Sequence, residues 1–461
     1  MTIPYDDHVL QLSTKLDARQ PRLKASAAYY EASHRLKAIG IATPPEMRAL
    51  TAAIGWPRLY IDAIEQRLDI ASFGLAGKPG ALDRLTEWWR ANDMDEESSL
   101  GHLETLVAGD CLVTIAAPGP DDDPEVPVIR VESPLTMYAE TDIRTHKVTR
   151  ALRTYVPDDM ADVESATLYL PDRTVPLKRD RGSNHAWRVD GKPVFHGLGV
   201  CPVVPLTNRQ RLADRRGQSE ITPELRSVTD AAARMMMNLQ AAAELLAVPQ
   251  RILFGVEAEE LRGTGGNREV LDTYFARILA VENDAAKASE FSSAELINFT
   301  TGLQELAKHF AAYTGLPPQY LSFSSENPAS AEAIRAAEAR LVKTCERKAR
   351  MFGAAWRQVM RLAVHIMDGA PDIELSALEV RWSDPATPTY AARADAVTKL
   401  YAGGIIPRER ARIDLGYSAE ERAEMTEQDR EEPMRQLTAL VGGNTSRPRP
   451  AASRESGQVA A

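Results

Sequence analysis

Apolar residues recur along this chain in two rhythms, and the switch between them marks out its parts. Residues 5 to about 36 repeat with helical spacing, interrupted near Pro21, before Pro44 and Pro45 break the pattern. Pro57 opens the next helix directly after Trp56 and sets Tyr60, Ile61, Ile64 and Leu68 along one face. Helices are predicted over Leu82–Ala91 and Glu96–Val107, the second turning Leu100, Leu103, Leu106 and Val107 inward. From Asp110 to about Val204 the period shortens to two. Cys111–Ala116, Val126–Val131, Val148–Tyr155, Ala166–Leu170, Thr174–Leu177 and Ala186–Val189 read as strands of an antiparallel meander, split by Pro-Asp-Arg and Asp-Gly-Lys turns.

The helical rhythm then returns in its most regular form. Thr222 stands as an N-cap before Pro223, and Leu225, Val228, Ala232, Met235, Leu239, Ala242 and Leu246 follow at steps of three and four. The triplets Ala231–Ala233 and Ala241–Ala243 leave room for a neighbouring backbone to approach. A packed face is the stronger reading here than a methionine-lined cofactor pocket around Met235–Met237. Residues 248–295 form a mixed insert: strand-like Gln250–Val256, a turn through Gly263–Gly266, a short helix near Val270–Phe275 and a strand Arg277–Val281. A second helix, roughly Ala294–Tyr313, returns the chain. A loop with three prolines and four hydroxyl side chains (Thr314, Ser322, Ser324, Ser325) leads into a long helix from Ser330 to about Asp368.

The long helix spans about 58 Å at its length and carries the stripe Ile334, Ala337, Leu341, Cys345, Phe352, Trp356, Val359, Ala363 and Ile366. Eight basic residues lie between Arg335 and Arg361 against four acidic ones in the whole helix, on a face expected to be solvated with pairs such as Glu346–Arg350. A strand at Leu378–Trp382 precedes a helix Thr389–Tyr401 ending at Gly403-Gly404, and another that begins at Pro407 and stops at Gly416. Ser418 and Glu421 form a capping box for a last acidic helix, and beyond Gly442 the composition is that of a disordered tail.

Composition narrows the chemistry. The 461 residues are 44% hydrophobic and 26% charged, enough for several buried cores, and no apolar run reaches the ~20 residues of a membrane span. Asp6, Asp7 and His8 stand where an export signal needs a basic start, so none is expected. Cys111, Cys201 and Cys345 are too few and too scattered for a disulfide framework or a zinc site, and read as reduced, packed thiols. A net charge of −10 disfavours a domain built to grip DNA or RNA. Gly77-Lys78 is followed by Pro79 rather than the Ser or Thr of a phosphate loop, and neither Gly-x-Ser-x-Gly nor His-Glu-x-x-His occurs. The acidic run Asp121–Asp123, framed by Pro120 and Pro124, reads as a solvated hairpin loop more readily than as a metal site. No catalytic residue, metal or cofactor is expected.

Five local stretches, in order, resemble the portal (head-to-tail connector) proteins of tailed double-stranded DNA phages, the actinobacteriophage type in particular. They are Tyr29-Tyr30 with His34–Lys37, leading to Gly55–Tyr60; Ser133-Pro134 through Tyr138; Gly199–Pro205 with Asn208-Arg209 and Gly217–Ile221; Thr314–Ser322 with Asn327–Ile334; and Ala394–Leu400 with Gly404. The likeness runs from about Pro21 to Glu432. It implies an α+β portal fold, mainly helical, with wing, stem, clip and crown regions and an antiparallel meander in the wing. On the segments above, the wing takes residues 1–220, the first stem helix 221–247, the clip 248–293 and the second stem helix 294–314. A tunnel loop then takes 315–329, the long helix and returning wing strand 330–388, the crown 389–441 and a disordered tail 442–461.

The resemblance further implies a homo-oligomeric ring of twelve subunits at the portal vertex of the virion, assembled in the host cytoplasm, without membrane contact. Its channel passes double-stranded DNA during packaging and ejection. The clip meets the terminase large subunit and later the head–tail adaptor, and the ring meets major capsid and scaffolding proteins. Leu225, Val228, Ala232, Met235, Leu239, Ala242 and Leu246 are then the stem's ring-packing residues. Leu316, Pro317, Pro318, Gln319, Tyr320, Ser322, Ser324, Ser325 and Asn327 form the loop that meets DNA, with Gln319, Tyr320 and Ser322 as weakly gripping polar groups. Twelve copies at −10 each carry about −120, which suits a wall that must let phosphate slide. Another structural head protein, a capsid or scaffold-associated subunit, is the alternative, and a nucleotide-driven packaging enzyme a further one that the absent phosphate loop disfavours.

Overall fold

The computed structural model describes residues 5–34, 52–75, 79–156, 163–180, 187–247, 251–254, 278–281, 296–321, 331–370, 374–386, 390–417 and 421–430. The chain divides into two compact units, residues 1–386 and 387–461.

Helix α1 (Asp6–Tyr30) runs unbroken through Pro21, contrary to the predicted interruption. Pro21 and the residue four places before it, Asp17, are both exposed, so the carbonyl that loses its partner is left to water. Helix α2 (Trp56–Glu65) buries Tyr60, Ile61 and Ile64 as its spacing predicts. Strand β1 (Ile70–Gly74) and helices α3 (Pro79–Ala91) and α4 (Met94–Ala108) follow. The inward face of α4 is wider than predicted: Leu106 and Val107 are buried as expected and Leu103 partly so, but Leu100 is 51% exposed, while Ser98, His102 and Thr105 are buried. The buried hydroxyl of Thr105 donates to the Gly101 carbonyl at 2.7 Å, which makes a polar face tolerable inside.

The β region divides into two sheets where a single meander is predicted. Strands β2 (Asp110–Ala116) and β3 (Val128–Glu132) pair with each other, and β10 (Val203–Thr207) adds to the free edge of β2. Strands β4 (Met137–Thr141), β5 (Val148–Tyr155), β6 (Val163–Tyr169), β7 (Arg173–Asp180) and β8 (Arg188–Val189) form a meander, with β9 (Val194–Phe195) paired to β7. The Ser133-Pro134 turn separates the sheets. Strands β4, β9 and β10 escape the two-residue period. In β10 the reason is Pro205, which opposes Leu112 but lies on an edge strand, where a missing N–H is tolerated.

Two cores result. Val9, Leu12 and Leu16 of α1 pack on Tyr138, Leu152, Leu168, Val175 and Leu177 of the meander. The larger core gathers α2, α3, α4 and the three-stranded sheet against the long helix, here α7 (Ala331–Asp368), reached through α5 (Pro223–Ala247), β11 (Arg251–Phe254), β12 (Ile278–Val281) and α6 (Leu296–Thr314). Leu341, Cys345, Phe352, Trp356, Val359 and Ala363 of the predicted stripe are buried. Strand β13 (Glu379–Trp382) pairs antiparallel with β1 and lays Trp382 over Gly353, where a Cβ would stand 3.1 Å from the indole nitrogen. The turn at Gly263–Gly266 and the helix near Val270–Phe275 lie outside the described residues. In the second unit, α8 (Tyr390–Ala402) and α9 (Arg408–Leu415) precede a helical run at 421–430, and Asp429 pairs with Arg408 and Arg412 at 2.7 Å each. Ser418 of the predicted capping box lies outside the described residues.

The segment between β10 and α5 owes its path to one glycine. Gly217 has φ +75°, and a Cβ there would lie 2.0 Å from the Gly109 carbonyl oxygen. That close approach lets Asn208 N–H donate to Gly109 at 2.8 Å and Glu220 N–H donate to Leu106 at 2.9 Å. Both the positive φ and the contact exclude a side chain. Gly217→Ala is therefore expected to lower stability by at least about 2 kcal/mol, read as a fall in the urea midpoint with an unchanged slope.

Candidate functional site

Helices α5 and α6 pack together as a pair joined by the insert that holds β11 and β12, two strands paired in parallel. Their closeness depends on small residues: a Cβ on Gly302 of α6 would lie 2.9 Å from the Met235 methyl of α5. Within the chain, Leu225, Ala232, Ala233, Met237 and Ala241 are buried. Val228, Met235, Leu239 and Ala242 of the predicted stripe stay half-buried, and Leu246 lies in α5 with its side chain outside the described residues. On α6, Ile297 and Tyr313 are 65% and 55% exposed. The helix pair thus keeps apolar surface that its own chain does not cover.

At the C-terminal end of α6 the chain turns through Gly315, at φ +75°. Thr314 donates its hydroxyl back to the Phe310 carbonyl at 2.8 Å, and Arg340 of α7 donates to the Ala312 carbonyl at 2.9 Å. A cation on the last carbonyls is the favourable charge for that helix end. Leu316 and Pro317 then enter the core. This departs from a channel-facing role for those two residues: an apolar side chain just past a helix end packs back on the last turn. Pro318 and Gln319 are exposed in a short turn, Pro318–Tyr320. Ser322, Ser324, Ser325 and Asn327 lie outside the described residues.

Tyr320 is half-buried and tied down. Its hydroxyl donates to Glu338 of α7 at 2.6 Å and accepts from Arg67 at 3.0 Å. Burial, then the Glu338 hydrogen bond, raise its pKa. The hydroxyl therefore bridges an ion pair whose charged atoms stand 3.4 Å apart. Removing it with Tyr320→Phe is expected to cost about 1 kcal/mol in a chemical denaturation series and to leave the ring's packing in place.

A second tie lies beneath the start of α5. Lys348 of α7 is 4% exposed and donates to both Glu220 and Asn208. Glu220 also accepts from the Tyr60 hydroxyl at 3.0 Å, and Asn208 donates to Glu220 at 2.8 Å. Burial would raise the Glu220 carboxyl, but Lys348 and the hydrogen bonds of Asn208 and Tyr60 outweigh it and hold the pKa below its usual value. One buried cluster so joins α2, the end of β10, the lead-in to α5 and the long helix. Sequence reading missed it, although Lys348 stands in the apolar stripe midway between Cys345 and Phe352, where a charge demands a partner. Glu220 lies within the Gly217–Ile221 stretch already singled out.

Among the described residues no cluster of metal-ligating side chains occurs, and no helix is long and apolar enough to cross a membrane. Cys111, Cys201 and Cys345 are free and buried, and burial pushes the thiols of Cys111 and Cys201 up to about 12. What remains is an architecture of helices, sheets and internal ties, and the comparison with known proteins decides its identity. The pattern of the phage portal protein family, SPP1 Gp6-like, matches residues 10–436. The chain belongs to that family. The portal protein of Mycobacterium phage L5 is 50% identical over 420 residues, 89% of this chain and 85% of the relative. That of Mycobacterium phage D29 is 48% identical over 432 residues, 92% of this chain and 88% of the relative.

Solved chains are more distant. One from the virion of a native gene transfer agent particle is 16% identical with a TM-score of 0.38, covering 86% of this chain and 99% of its own. One from the neck of such a particle, computed with C12 symmetry, is 13% identical with a TM-score of 0.40, covering 85% and 99%. The family places this portal protein, of actinobacteriophage type, at the portal vertex of the phage head. It is a structural component of the virion and not an enzyme, which sets aside both the capsid-subunit and the packaging-enzyme readings.

Proposed function

We propose that identical copies of this portal protein close into a ring, twelve in the virion, whose bore passes double-stranded DNA into and out of the head. The observation that carries this reading is the apolar surface left on the α5–α6 pair, where Val228, Met235, Leu239, Ala242, Ile297 and Tyr313 are not fully covered by their own chain. A helix pair with small residues and apolar side chains left partly uncovered is suited to packing beside other copies, and a head-to-tail contact repeated by rotation closes a ring. In this reading residues 1–220 and 330–388 form the wing, 221–247 and 294–314 the stem, 248–293 the clip and 389–441 the crown. The clip receives the terminase large subunit and then the head–tail adaptor, and the outer ring meets major capsid and scaffolding proteins.

The segment 315–329 is the tunnel loop. Its part near Gln319 faces the duplex, while Leu316, Pro317 and Tyr320 anchor it to the long helix. Uncharged Gln319 and Ser322 touch phosphate without holding it, because each cationic contact would add affinity and slow passage. Electron microscopy and light scattering on the full chain, alone and with its capsid partners, test the ring. Annular particles with a central hole are expected, and a monomer under every condition would overturn the reading. Gln319→Ala with Ser322→Ala tests the loop: reduced packaging or genome retention is expected, and unchanged values would remove it from the channel wall.

A further inference from the structure

The strongest unassigned feature of this acidic chain is a cationic cleft of about 660 Å³ between the C-terminal half of α7 and the edge formed by β5 and β10. Arg357, Arg361 and His365 enter it from one row of α7 at steps of four, and His146 and Lys147 face them from the turn before β5. No carboxylate lines it among the described residues. The Nε of Arg357 is buried with no acceptor, and neither Arg361 nor Lys147 makes an ion pair among the described residues. Cations on the cleft wall with no carboxylate facing them leave it able to take an acceptor supplied from outside the chain. Its floor is apolar, with Val148, Val200 and Leu362.

We propose that this cleft receives the loop Asp121–Asp123 of the adjacent copy of the same chain. The proposal rests on ring formation and names the contact that closes it. Charge complementarity selects the occupant: Asp121, Asp122, Asp123 and Glu125 are all exposed, four carboxylates against three permanent cations and two histidines. Asp122 and Asp123 accept only from the local backbone, at Gly119 and Glu125, and keep free lone pairs. Pro118, Pro120, Pro124 and Pro127 stiffen the loop, so that little conformational freedom is lost when it seats.

In the three-stranded sheet β10-β2-β3 the cleft takes Val203 from one edge strand, and the loop joins the central strand to the other edge strand beyond Ala116. The loop is held by Trp88 and Asn92, which donate to the carbonyls of Glu125 and Pro127 at 2.8 and 2.9 Å. A protruding loop and a receiving cleft on the same chain are the two halves of a head-to-tail contact, and one loop fills one cleft all round a closed ring. A nucleic-acid backbone is the competing anion. A single cleft with its cations gathered on one helix row and one turn suits the carboxylates of a narrow loop better than a wide duplex whose affinity comes from many spread phosphate contacts.

The test uses the full chain. Subunits carrying D122C and subunits carrying Q358C, at the exposed Gln358 of the cleft, all with Cys201→Ala because Cys201 also lines the cleft, are mixed, assembled and oxidised. Covalent dimers, absent when either variant is assembled alone, are expected, and they cannot arise within one chain. Charge reversal with R357E and R361E is expected to lower the fraction of chain in rings at least tenfold, and D121K, D122K and D123K in the same chain to restore it. Circular dichroism checks that each variant is folded. Rings that form normally in the reversed variant, with no dimers from the mixture, overturn the proposal. So does loss of duplex binding with R357E and R361E while ring yield is unchanged, which would assign the cleft to nucleic acid. A wild-type chain that never forms rings fails the function proposed above instead, and so the two failures are distinguishable.

Discussion

Replacing Lys348 with methionine is expected to destabilise the first unit by about 3–5 kcal/mol at pH 7.5, the cost of leaving one member of a buried ion pair alone. Lys348 and Glu220 have side chains only 5% and 7% exposed, so water offers little compensation. Methionine fills the volume of the lysine stem and isolates the loss of charge from the loss of packing. The variant also carries a pH signature. In the wild type the Glu220 carboxyl is held below its ordinary pKa, so its contribution is full above that ordinary value and is lost as pH falls through the folded one. Without Lys348, burial dominates and raises the carboxyl. The deficit of K348M is then largest at neutral pH and shrinks as pH falls toward 4.5, because the folded variant's carboxyl takes up its proton there and the buried charge disappears.

K348M with E220Q removes both charges but keeps hydrogen-bonding groups for Asn208 and Tyr60, and is expected to recover more than half of the loss. Urea unfolding from pH 7.5 to 5 measures all three chains. A pH-independent deficit, or a double variant no better than the single, would show that the pair adds nothing beyond packing. The position of the pair gives the result a functional reading. Glu220 lies three residues before α5, and the cluster fixes the helix start against the long helix and α2. On the ring reading proposed above, K348M should therefore also lower ring yield in the assembly assay, through an α5 no longer held at one angle.

Periodicity made the helices legible because each buries a stripe against its own chain. The faces of α2 and α7 are examples: Ile61, Ile64, Leu341, Phe352 and Trp356 stand where their spacing puts them. It failed where burial is polar. The inward face of α4 contains Ser98, His102 and Thr105, and hydropathy alone turns Leu100 to the core instead. It failed again in β10, since Pro205 argues against a strand unless the strand is known to be an edge. The stripe of α5 was legible as a pattern, but its purpose was not. Val228 and Met235 look like any core residues in sequence, and their partial exposure in one chain is what points to a neighbour. The ties at Lys348 and Tyr320 join residues 128 and 18 positions apart, and only folding brings them together.

Lowering the pH from 7.5 to 4.5 is expected to remove about 2–3 kcal/mol of stability through His102 alone. The ring is fully buried and stacks on Phe352 with centroids 5.1 Å apart and planes 9° from parallel; the Trp382 ring lies 5.4 Å away. The Trp356 indole N–H donates to its Nε2 at 2.8 Å, so the neutral ring carries its proton on Nδ1. Burial outweighs the favourable Leu68 backbone and lowers the pKa to about 3. The unfolded chain takes up this proton near 6.5, while the folded chain refuses it until about 3. Stability from this group is therefore complete above 6.5 and drains away as pH falls toward 3. His102→Phe keeps the stack and removes the titration. It leaves the Trp356 N–H without an acceptor, which costs about 1–3 kcal/mol at pH 7.5. The other titrating groups are common to both chains, so the difference between their stability curves isolates His102. The two curves should converge near pH 4.5, with tryptophan fluorescence of Trp356 and Trp382 reporting the same cluster. Parallel curves across that range would mean that His102 takes up its proton in the folded chain as readily as in the unfolded one, and that the aromatic core linking α4, α7 and β13 accommodates the charge.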